Sequence, residues 1–193
     1  TLQQSSAASD VYKRQGMCKL GIMLECPMLI RSLLLIFSMN SFALTLDDPN
    51  DWRGVTDQVM GGKSVLSIDH EDGIFYMKGT VTTANNGGFV RLSKRIDIKD
   101  NSYKGVTFKA KGNIEQYELH VTLKGVKMPP WSYLSSAFDV TSDWQEYQIA
   151  FADLQSKGYM AASMRSDNIR DISIAGYGRD FDVDLAIKDI ALY

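Results

Sequence analysis

Hydrophobic and polar residues alternate along most of the chain after residue 44, with the period of two that is typical of half-buried β-strands. The clearest case is residues 115–124, where Tyr117, Leu119, Val121 and Leu123 alternate with polar residues. The same pattern predicts further strands near residues 64–69, 74–81, 88–97, 106–110, 133–140, 147–151, 172–174 and 183–187. We therefore expect about nine short strands and an all-β fold.

Short segments rich in Gly, Asn and Asp separate the predicted strands, and these residue types adopt the conformations that tight turns need. The last strand changes phase, because Ile190 and Leu192 continue the alternation one residue late; this predicts a β-bulge near Lys188. Only single helical turns are expected, near residues 47–53 and 152–157. Regularly spaced short strands without a long helix favour a β-sandwich or jelly roll.

The first 43 residues have a different character. Residues 28–43 contain Arg31, an apolar run and then Ser41-Phe42-Ala43, which is the layout of a secretory signal peptide cleaved after Ala43. The apolar run is shorter than the roughly 20 residues that cross a bilayer, and an uncleaved N-terminal anchor is the alternative. Residues 1–16 do not fit ahead of a signal peptide, so we interpret them as upstream sequence that is not native. We expect residues 17–43 to direct export to the periplasm or outside the cell, and residues 44–193 to form one domain.

The composition of residues 44–193 leaves few residues for catalytic or metal chemistry. This segment has no cysteine, 17 Lys and Arg, 21 Asp and Glu, and hence a net charge of −4. The lack of a basic excess argues against nucleic-acid binding. His70 and His120 are the only histidines, which is too few ligands for a zinc site without cysteine. We expect no metal ion and no cofactor.

Two other features leave alternatives open. Asp180, Asp182 and Asp184 share one strand face and have the oxygen ligands that Ca²⁺ prefers, but a solvated strand face explains them better. Trp131 and Tyr133 follow Pro129-Pro130, and the prolines make this predicted loop stiff. Exposed aromatic rings on a stiff loop suit sugar stacking or a protein interface, although the rings could instead fold back onto the core.

Several segments together resemble a known signature. The run from Trp52 to Ser64 (WRGVTDQVMGGKS) is followed by FYMKG at 75–79, NGGF at 86–89 and GVTFKAKG at 105–112. This combination resembles the complex I intermediate-associated protein 30 family over nearly all of residues 47–193. The residues shared with the family motif are Trp52, Asp57, Met60, Gly61, Gly62, Ser64, Asn86, Gly87, Gly88 and Phe89.

The resemblance implies a galactose-binding-domain-like β-sandwich, in agreement with the strand pattern. Mitochondrial members of the family are assembly chaperones for respiratory complex I and are not catalysts. The paired glycines permit backbone conformations closed to other residues, and Asp57 and Ser64 could bond loop amides, so we interpret the motif as structural.

These observations support three hypotheses of different classes. The first is a non-catalytic binding or assembly-factor domain that recognises a protein partner through loops 57–64, 85–89 and 128–133. That partner could be a respiratory or other redox complex that the domain assists. Contact with a membrane is expected only through the leader, if the leader is not cleaved. The second is a carbohydrate-binding module. The third, a glycan-active hydrolase, would need clustered carboxylates or a Ser-His pair, and the sequence singles out neither.

Overall fold

The computed structural model describes residues 43–126, 132–158 and 163–193, and residues 40–193 group into one compact unit. The described residues form twelve strands: β1 (Leu44–Thr45), β2 (Trp52–Thr56), β3 (Val65–Glu71), β4 (Ile74–Val81), β5 (Phe89–Arg95), β6 (Gly105–Gly112), β7 (Gln116–Leu123), β8 (Tyr133–Asp139), β9 (Gln145–Ala150), β10 (Gln155–Lys157), β11 (Ile169–Tyr177) and β12 (Phe181–Leu192). Five 3₁₀ turns connect them: Pro49–Asp51, Asp57–Met60, Ala84–Asn86, Phe151–Asp153 and Ser166–Asn168. The predicted all-β fold is confirmed.

The strands form two antiparallel sheets. Sheet I has the order β3-β4-β12-β6-β9, with the short β1 also paired to β12. Sheet II has the order β10-β8-β7-β11-β5-β2. Most neighbours in both sheets are distant in sequence, as in the Greek-key connections of a jelly roll. In the described parts of the chain, no helix is long and apolar enough to span a bilayer.

The core consists of the inward-facing residues of the two sheets. On β7, the alternation predicted from sequence buries Tyr117, Leu119, Val121 and Leu123 completely. Aromatic rings join the layers, for example Tyr117 with Phe181, whose centroids lie 5.7 Å apart. Each fully buried side chain of this kind contributes about 1.5–3 kcal/mol through removal of apolar surface from water.

The β-bulge predicted in the last strand is present. The pairing of β12 with β6 shifts register between Lys188 and Ala191, and Asp189 adopts a positive φ of 55°. Two of the five 3₁₀ turns, Pro49–Asp51 and Phe151–Asp153, overlap the predicted turns, and the other three were not predicted. The expected turn at 152–157 is wrong at its end, because Gln155–Lys157 forms the short strand β10. The sequence pattern also missed β1, which has only two residues, and β2, because Gly54 interrupts its alternation.

The outer face of sheet II is polar but largely buried, and this face positions the candidate site. Residues that alternate with core positions on β7, β8, β11 and β5 point to this side. Several of them are almost inaccessible: His120, Ser135, Ser173, Ser93 and Asp171. Burying polar side chains on a sheet face costs free energy unless they find hydrogen-bond partners. A buried polar atom on this face that lacks a hydrogen-bond partner within the protein therefore marks a place where a ligand could bind.

Candidate functional site

A buried carboxylate, Asp57, joins two loops at one edge of the site. Asp57 begins the 3₁₀ turn after β2 and has no exposed surface. Its Oδ1 accepts a hydrogen bond from the Ser64 amide at 2.9 Å, and its Oδ2 accepts from the Ser64 hydroxyl. Oδ2 also accepts from the amides of Gly88 at 2.6 Å and Phe89 at 3.3 Å. Four donors from two chain segments thus converge on one side chain.

This hydrogen bonding determines the charge of Asp57. Burial alone would raise the pKa of the carboxyl group. The hydrogen bonds from Ser64, Gly88 and Phe89 favour the ionised form, and together they hold the pKa below its ordinary value. The loops are therefore joined by a carboxylate that is charged at neutral pH.

The motif glycines are required by their contact with this carboxylate. A Cβ added to Gly62 would lie 2.3 Å from the Asp57 Cγ, and one added to Gly87 would lie 2.4 Å from Oδ2. Gly61 instead has a positive φ of 87° and ends the 3₁₀ turn. The residue of this turn that must be left-handed is therefore Gly61.

The two joined loops form one wall of a cavity of about 240 Å³. The opposite wall is the outer face of sheet II. The cavity is lined by Met60, Thr83, Asn86, Gly87, Gly88, Phe89, Arg91, His120, Tyr133, Tyr177 and Gly178. These described lining residues include no carboxylate, cysteine or serine.

Three rings form the floor and one side of the cavity. The His120 ring stacks on Tyr133 with centroids 4.3 Å apart, and it meets Tyr177 edge-on at 5.3 Å. Tyr133 is buried, whereas Tyr177 is 40% exposed and lies at the mouth. Burial and the adjacent Tyr177 hydroxyl raise the pKa of Tyr133. Tyr133 therefore keeps a neutral hydroxyl group, and both rings present apolar surface to the cavity.

His120 is held by Glu118, two residues earlier on the same face of β7. The His120 Nε2 lies 2.7 Å from the Glu118 carboxylate, and the imidazole is 1% exposed. Burial lowers the pKa of His120 despite the opposing effect of Glu118. Conversely, the hydrogen bond from His120 lowers the pKa of Glu118. We assign a neutral imidazole that donates from Nε2, which leaves Nδ1 as an acceptor.

Arg91 supplies the positive charge of the cavity. Its guanidinium carbon lies 4.3 Å from the centre of the Phe89 ring, in a cation–π contact. Its neighbours across the strands are Val55 on β2 and Ala175 on β11, and neither carries a charge. Within the part of the chain that the structure describes, Arg91 makes no ion pair.

Two buried polar atoms of the cavity lack partners. These are His120 Nδ1 and Arg91 Nε, neither of which has a hydrogen-bond partner among the described residues. An unsatisfied buried donor or acceptor costs about 1–3 kcal/mol. One acceptor, one cationic donor and exposed ring surface together can bind a polar ligand that has an apolar face.

The structure brings most of the motif residues to this one place. Met60, Asn86, Gly87, Gly88 and Phe89 line the cavity, whereas Asp57, Gly61, Gly62 and Ser64 form the loop junction beside it. Trp52 lies apart in the core, where its indole packs 5.7 Å from Phe75 and donates to the Leu46 carbonyl. Tyr133 lines the cavity from the first position of β8. Trp131 lies outside the described residues.

The aspartates considered for Ca²⁺ have ordinary partners. Asp180 accepts hydrogen bonds from the amide and hydroxyl of Thr83, and Asp182 accepts from Thr80. In residues 43–126, 132–158 and 163–193, no three His, Cys, Asp or Glu side chains are grouped as a metal site.

Sequence reasoning missed the residues that give the cavity its chemistry, Arg91, His120 and Tyr177. Each occupies an outward position on a strand whose inward positions are apolar. The sequence identifies His120 only as one of two histidines, which are too few for a zinc site. These residues come together because β11 lies between β7 and β5 in sheet II. That strand order cannot be read from the sequence pattern.

Comparison with solved structures finds similar folds among carbohydrate-binding modules. A family 11 module from Clostridium thermocellum in complex with a β-1,3-1,4-mixed-linked tetrasaccharide has a TM-score of 0.63 and 17% identity, covering 78% of this chain and 94% of that one. The family 11 module of the cellulase Lic26A-Cel5E of the same organism also has a TM-score of 0.63, with 18% identity and coverage of 78% and 93%. A family 4 module has a TM-score of 0.53 and 16% identity, with coverage of 76% and 88%.

Sequence comparison is more specific about the family. Comparison with curated proteins finds no match. The sequence model described as complex I intermediate-associated protein 30 matches residues 41–187. This family and the jelly-roll fold both fit a binding domain. The chain belongs to the complex I intermediate-associated protein 30 family.

Proposed function

We propose that residues 44–193 form a non-catalytic domain that binds carbohydrate in the cavity on the outer face of sheet II. One observation carries this proposal: His120 Nδ1 and Arg91 Nε are buried without partners beside the rings of Tyr133 and Tyr177. A sugar residue has hydroxyl groups around its edge and a C–H face that packs on an aromatic ring. It therefore meets the needs of both the polar atoms and the rings.

The size and openness of the cavity support a single sugar residue as its occupant. Its volume of about 240 Å³ is just below the range of roughly 300–1,000 Å³ for pockets that hold drug-sized ligands. Met60 and Tyr177 at the mouth are partly exposed, so the rest of a glycan chain could extend into solvent. The family 11 module bound to a tetrasaccharide provides a precedent for carbohydrate as a ligand of this fold.

The test is a glycan array probed with the full chain, followed by calorimetric titration of the glycans that bind. Tyr177→Ala removes an exposed ring of the cavity and should weaken binding by about five- to thirtyfold, since ring stacking and the apolar surface that it buries contribute roughly 1–2 kcal/mol. The matched control is Tyr76→Ala, because Tyr76 is a partly exposed tyrosine on β4 of sheet I. If no glycan binds at millimolar concentration, or if both variants lose binding equally, the proposal fails.

A protein partner is the second candidate, and exposed apolar residues on the motif loop favour it. Val59 is 73% exposed and Met60 is 37% exposed, and both belong to the 3₁₀ turn that Asp57 begins. Exposed apolar side chains on a rigid loop are suitable anchors for a protein interface. This candidate agrees with the family name, which describes association with a complex I intermediate.

Replacing one exposed apolar residue with a charged residue distinguishes a specific interface from non-specific hydrophobic binding. Val59→Asp should reduce co-purification of a partner from native membranes by the tagged full chain. Ile114→Asp is the matched control, because Ile114 is 79% exposed and lies outside the motif loop. Equal recovery by wild type and Val59→Asp would argue against this interface.

We also propose that the protein is exported and cleaved after Ala43, on the basis of the signal-peptide layout of residues 28–43. Mass spectrometry of the protein purified from its native compartment tests this directly. A mature N-terminus at Leu44 is the expected result, and an intact leader on a cytoplasmic protein would refute it.

A further inference from the structure

We propose that the cavity selects an acidic sugar, a uronate, whose carboxylate pairs with Arg91 and whose hydroxyl group donates to His120 Nδ1. This inference rests on the proposed carbohydrate-binding function and names the ligand class within it. It is carried by the charge of the lining, in which Arg91 is the only formally charged residue among the described ones.

One edge of the Arg91 guanidinium has no protein partner among the described residues. The guanidinium carbon lies 4.3 Å from the centre of the Phe89 ring, so this ring packs against the cation. The Nε atom is buried without a partner. Arg91 also makes no ion pair within the described ranges, so we assign the Nε–H and a neighbouring Nη–H to the ligand. That edge matches the two oxygens of a carboxylate in a bidentate pair, a geometry that a neutral hydroxyl group cannot complete.

The nearby carboxylates already have partners and do not neutralise Arg91. Glu118 is hydrogen-bonded to His120, and Asp57 lies behind the glycine loop with its four donors. Asp171, which contributes to the potential at Arg91, has the guanidinium group of Arg170 at 2.7 Å. The arginine therefore retains an unpaired positive charge in a partly buried site, and an anion there gains more than it would in water.

His120 adds a requirement for a hydroxyl group. The Nε2–H is committed to Glu118, so the Nδ1 lone pair accepts a hydrogen bond and cannot itself bind a carboxylate. An anion without a hydroxyl group, such as sulfate, would pair with Arg91 and leave this acceptor without a donor. A uronate satisfies both atoms, and its ring has a C–H face for Tyr177 at the mouth.

The test compares each acid with its own neutral ester. The full chain is titrated calorimetrically with digalacturonate and cellobiouronate, and then with the methyl ester of each. We expect at least one acid to bind about tenfold or more tightly than its ester, because the ester loses a charge-assisted bidentate pair. The preference should shrink as salt is added, since the pairing is electrostatic.

Arg91→Gln should abolish the preference for the acid over the ester. The matched control is Arg179→Gln, because Arg179 also lies over a phenylalanine ring, at 4.0 Å from Phe181, but is paired with Glu115 and does not line this cavity. Should Arg91→Gln fail to fold, the comparison of acid with ester on the wild-type chain still decides the question.

The outcomes separate this inference from the proposed function. If neutral glycans or esters bind as tightly as the acids, the domain binds carbohydrate but the selection of uronates is overturned. If Arg91→Gln folds and keeps the preference, Arg91 is not its source and the inference is overturned. If neither acids, esters nor any neutral glycan on the array binds, the proposed function fails, and this inference fails with it.

Discussion

Replacing Asp57 with Asn tests whether one buried carboxylate holds the two motif loops together. The change is nearly isosteric and leaves one oxygen. Placed at the Oδ2 position, that oxygen still accepts from the Ser64 hydroxyl and from the amides of Gly88 and Phe89. The new NH₂ group then replaces Oδ1 and faces the Ser64 amide, which donates to Oδ1 at 2.9 Å in the wild type.

The cost follows from this single mismatch. A hydrogen bond to a charged group contributes about 1.5–3 kcal/mol, and an unsatisfied buried N–H is not compensated by water. We therefore expect Asp57→Asn to lower the free energy of unfolding by about 2–3 kcal/mol, which is a fall in Tm of about 5–10 °C for a domain of this size. Asp57→Ala orphans all four donors and should cost at least about 4 kcal/mol.

The pH dependence of the free energy of unfolding provides an independent test of the charge on Asp57. Because the folded-state pKa of Asp57 lies below its ordinary value of 3.8, the carboxylate stabilises the fold fully above that pH. This stabilisation is lost as the pH falls through the lower, folded-state pKa. The difference between wild type and Asp57→Asn should thus be constant near neutral pH and shrink below about pH 4.

The assay is urea unfolding of the full chain, followed by tryptophan fluorescence and circular dichroism. Asp182→Asn is the control, because Asp182 is exposed and accepts one hydrogen bond, from Thr80 at 3.0 Å. That substitution should change stability by no more than about 0.5 kcal/mol. An equal effect of the two substitutions, or a loss below about 1 kcal/mol at Asp57, would refute the role assigned to this carboxylate.

Three further predictions follow from buried contacts, all measured by urea unfolding. Gly87→Ala should lower the free energy of unfolding by about 3 kcal/mol or more, because its Cβ would lie 2.4 Å from a carboxylate oxygen of Asp57. Gly61→Ala meets open space, so it should lower the free energy of unfolding by only about 1–2 kcal/mol through backbone strain. Equal losses would contradict the proposed contact. Tyr117→Phe removes the hydroxyl to which the Asp184 amide donates at 3.3 Å, so it should lower the free energy of unfolding by about 1–2 kcal/mol. An unchanged free energy of unfolding would contradict this role. Burial holds the pKa of His120 below 6.5, so wild-type stability should decline as the pH falls below that value, and His120→Gln should flatten the decline; an unchanged slope would show that His120 is not its cause.

The fold was predictable because its signal is local. On β7, the alternation of Tyr117 with polar neighbours determines both the strand and the face that enters the core. The bulge in β12 was predictable for the same reason, since a change of phase is visible within a few residues. In contrast, β2 was missed because Gly54 replaces a side chain in its pattern, and the space that a Cβ would occupy is taken by Ile68 on another strand.

The candidate site was less predictable because its parts meet only through topology. Arg91 and His120 lie 29 positions apart on strands that do not pair directly with each other, and β11 lies between them. No spacing rule connects such residues. Tyr133 was selected as a loop aromatic, but its role as a cavity wall follows from its stacking on His120. Sequence identified an aromatic residue of the site without identifying its partners.

The motif and the chemistry of the cavity reside on different residues, and this separation has a consequence for function. Asp57 and the glycines that it contacts fix the position of the loop wall through contacts that are buried within the protein. Arg91 and His120 determine charge and hydrogen bonding, and they project from strands whose pairing would survive other side chains at these positions. A chain could therefore keep the loop junction unchanged while acquiring a cavity of different polarity. It follows that the motif residues account for the position of the cavity in this chain, whereas its ligand must be inferred from the strand residues that face it.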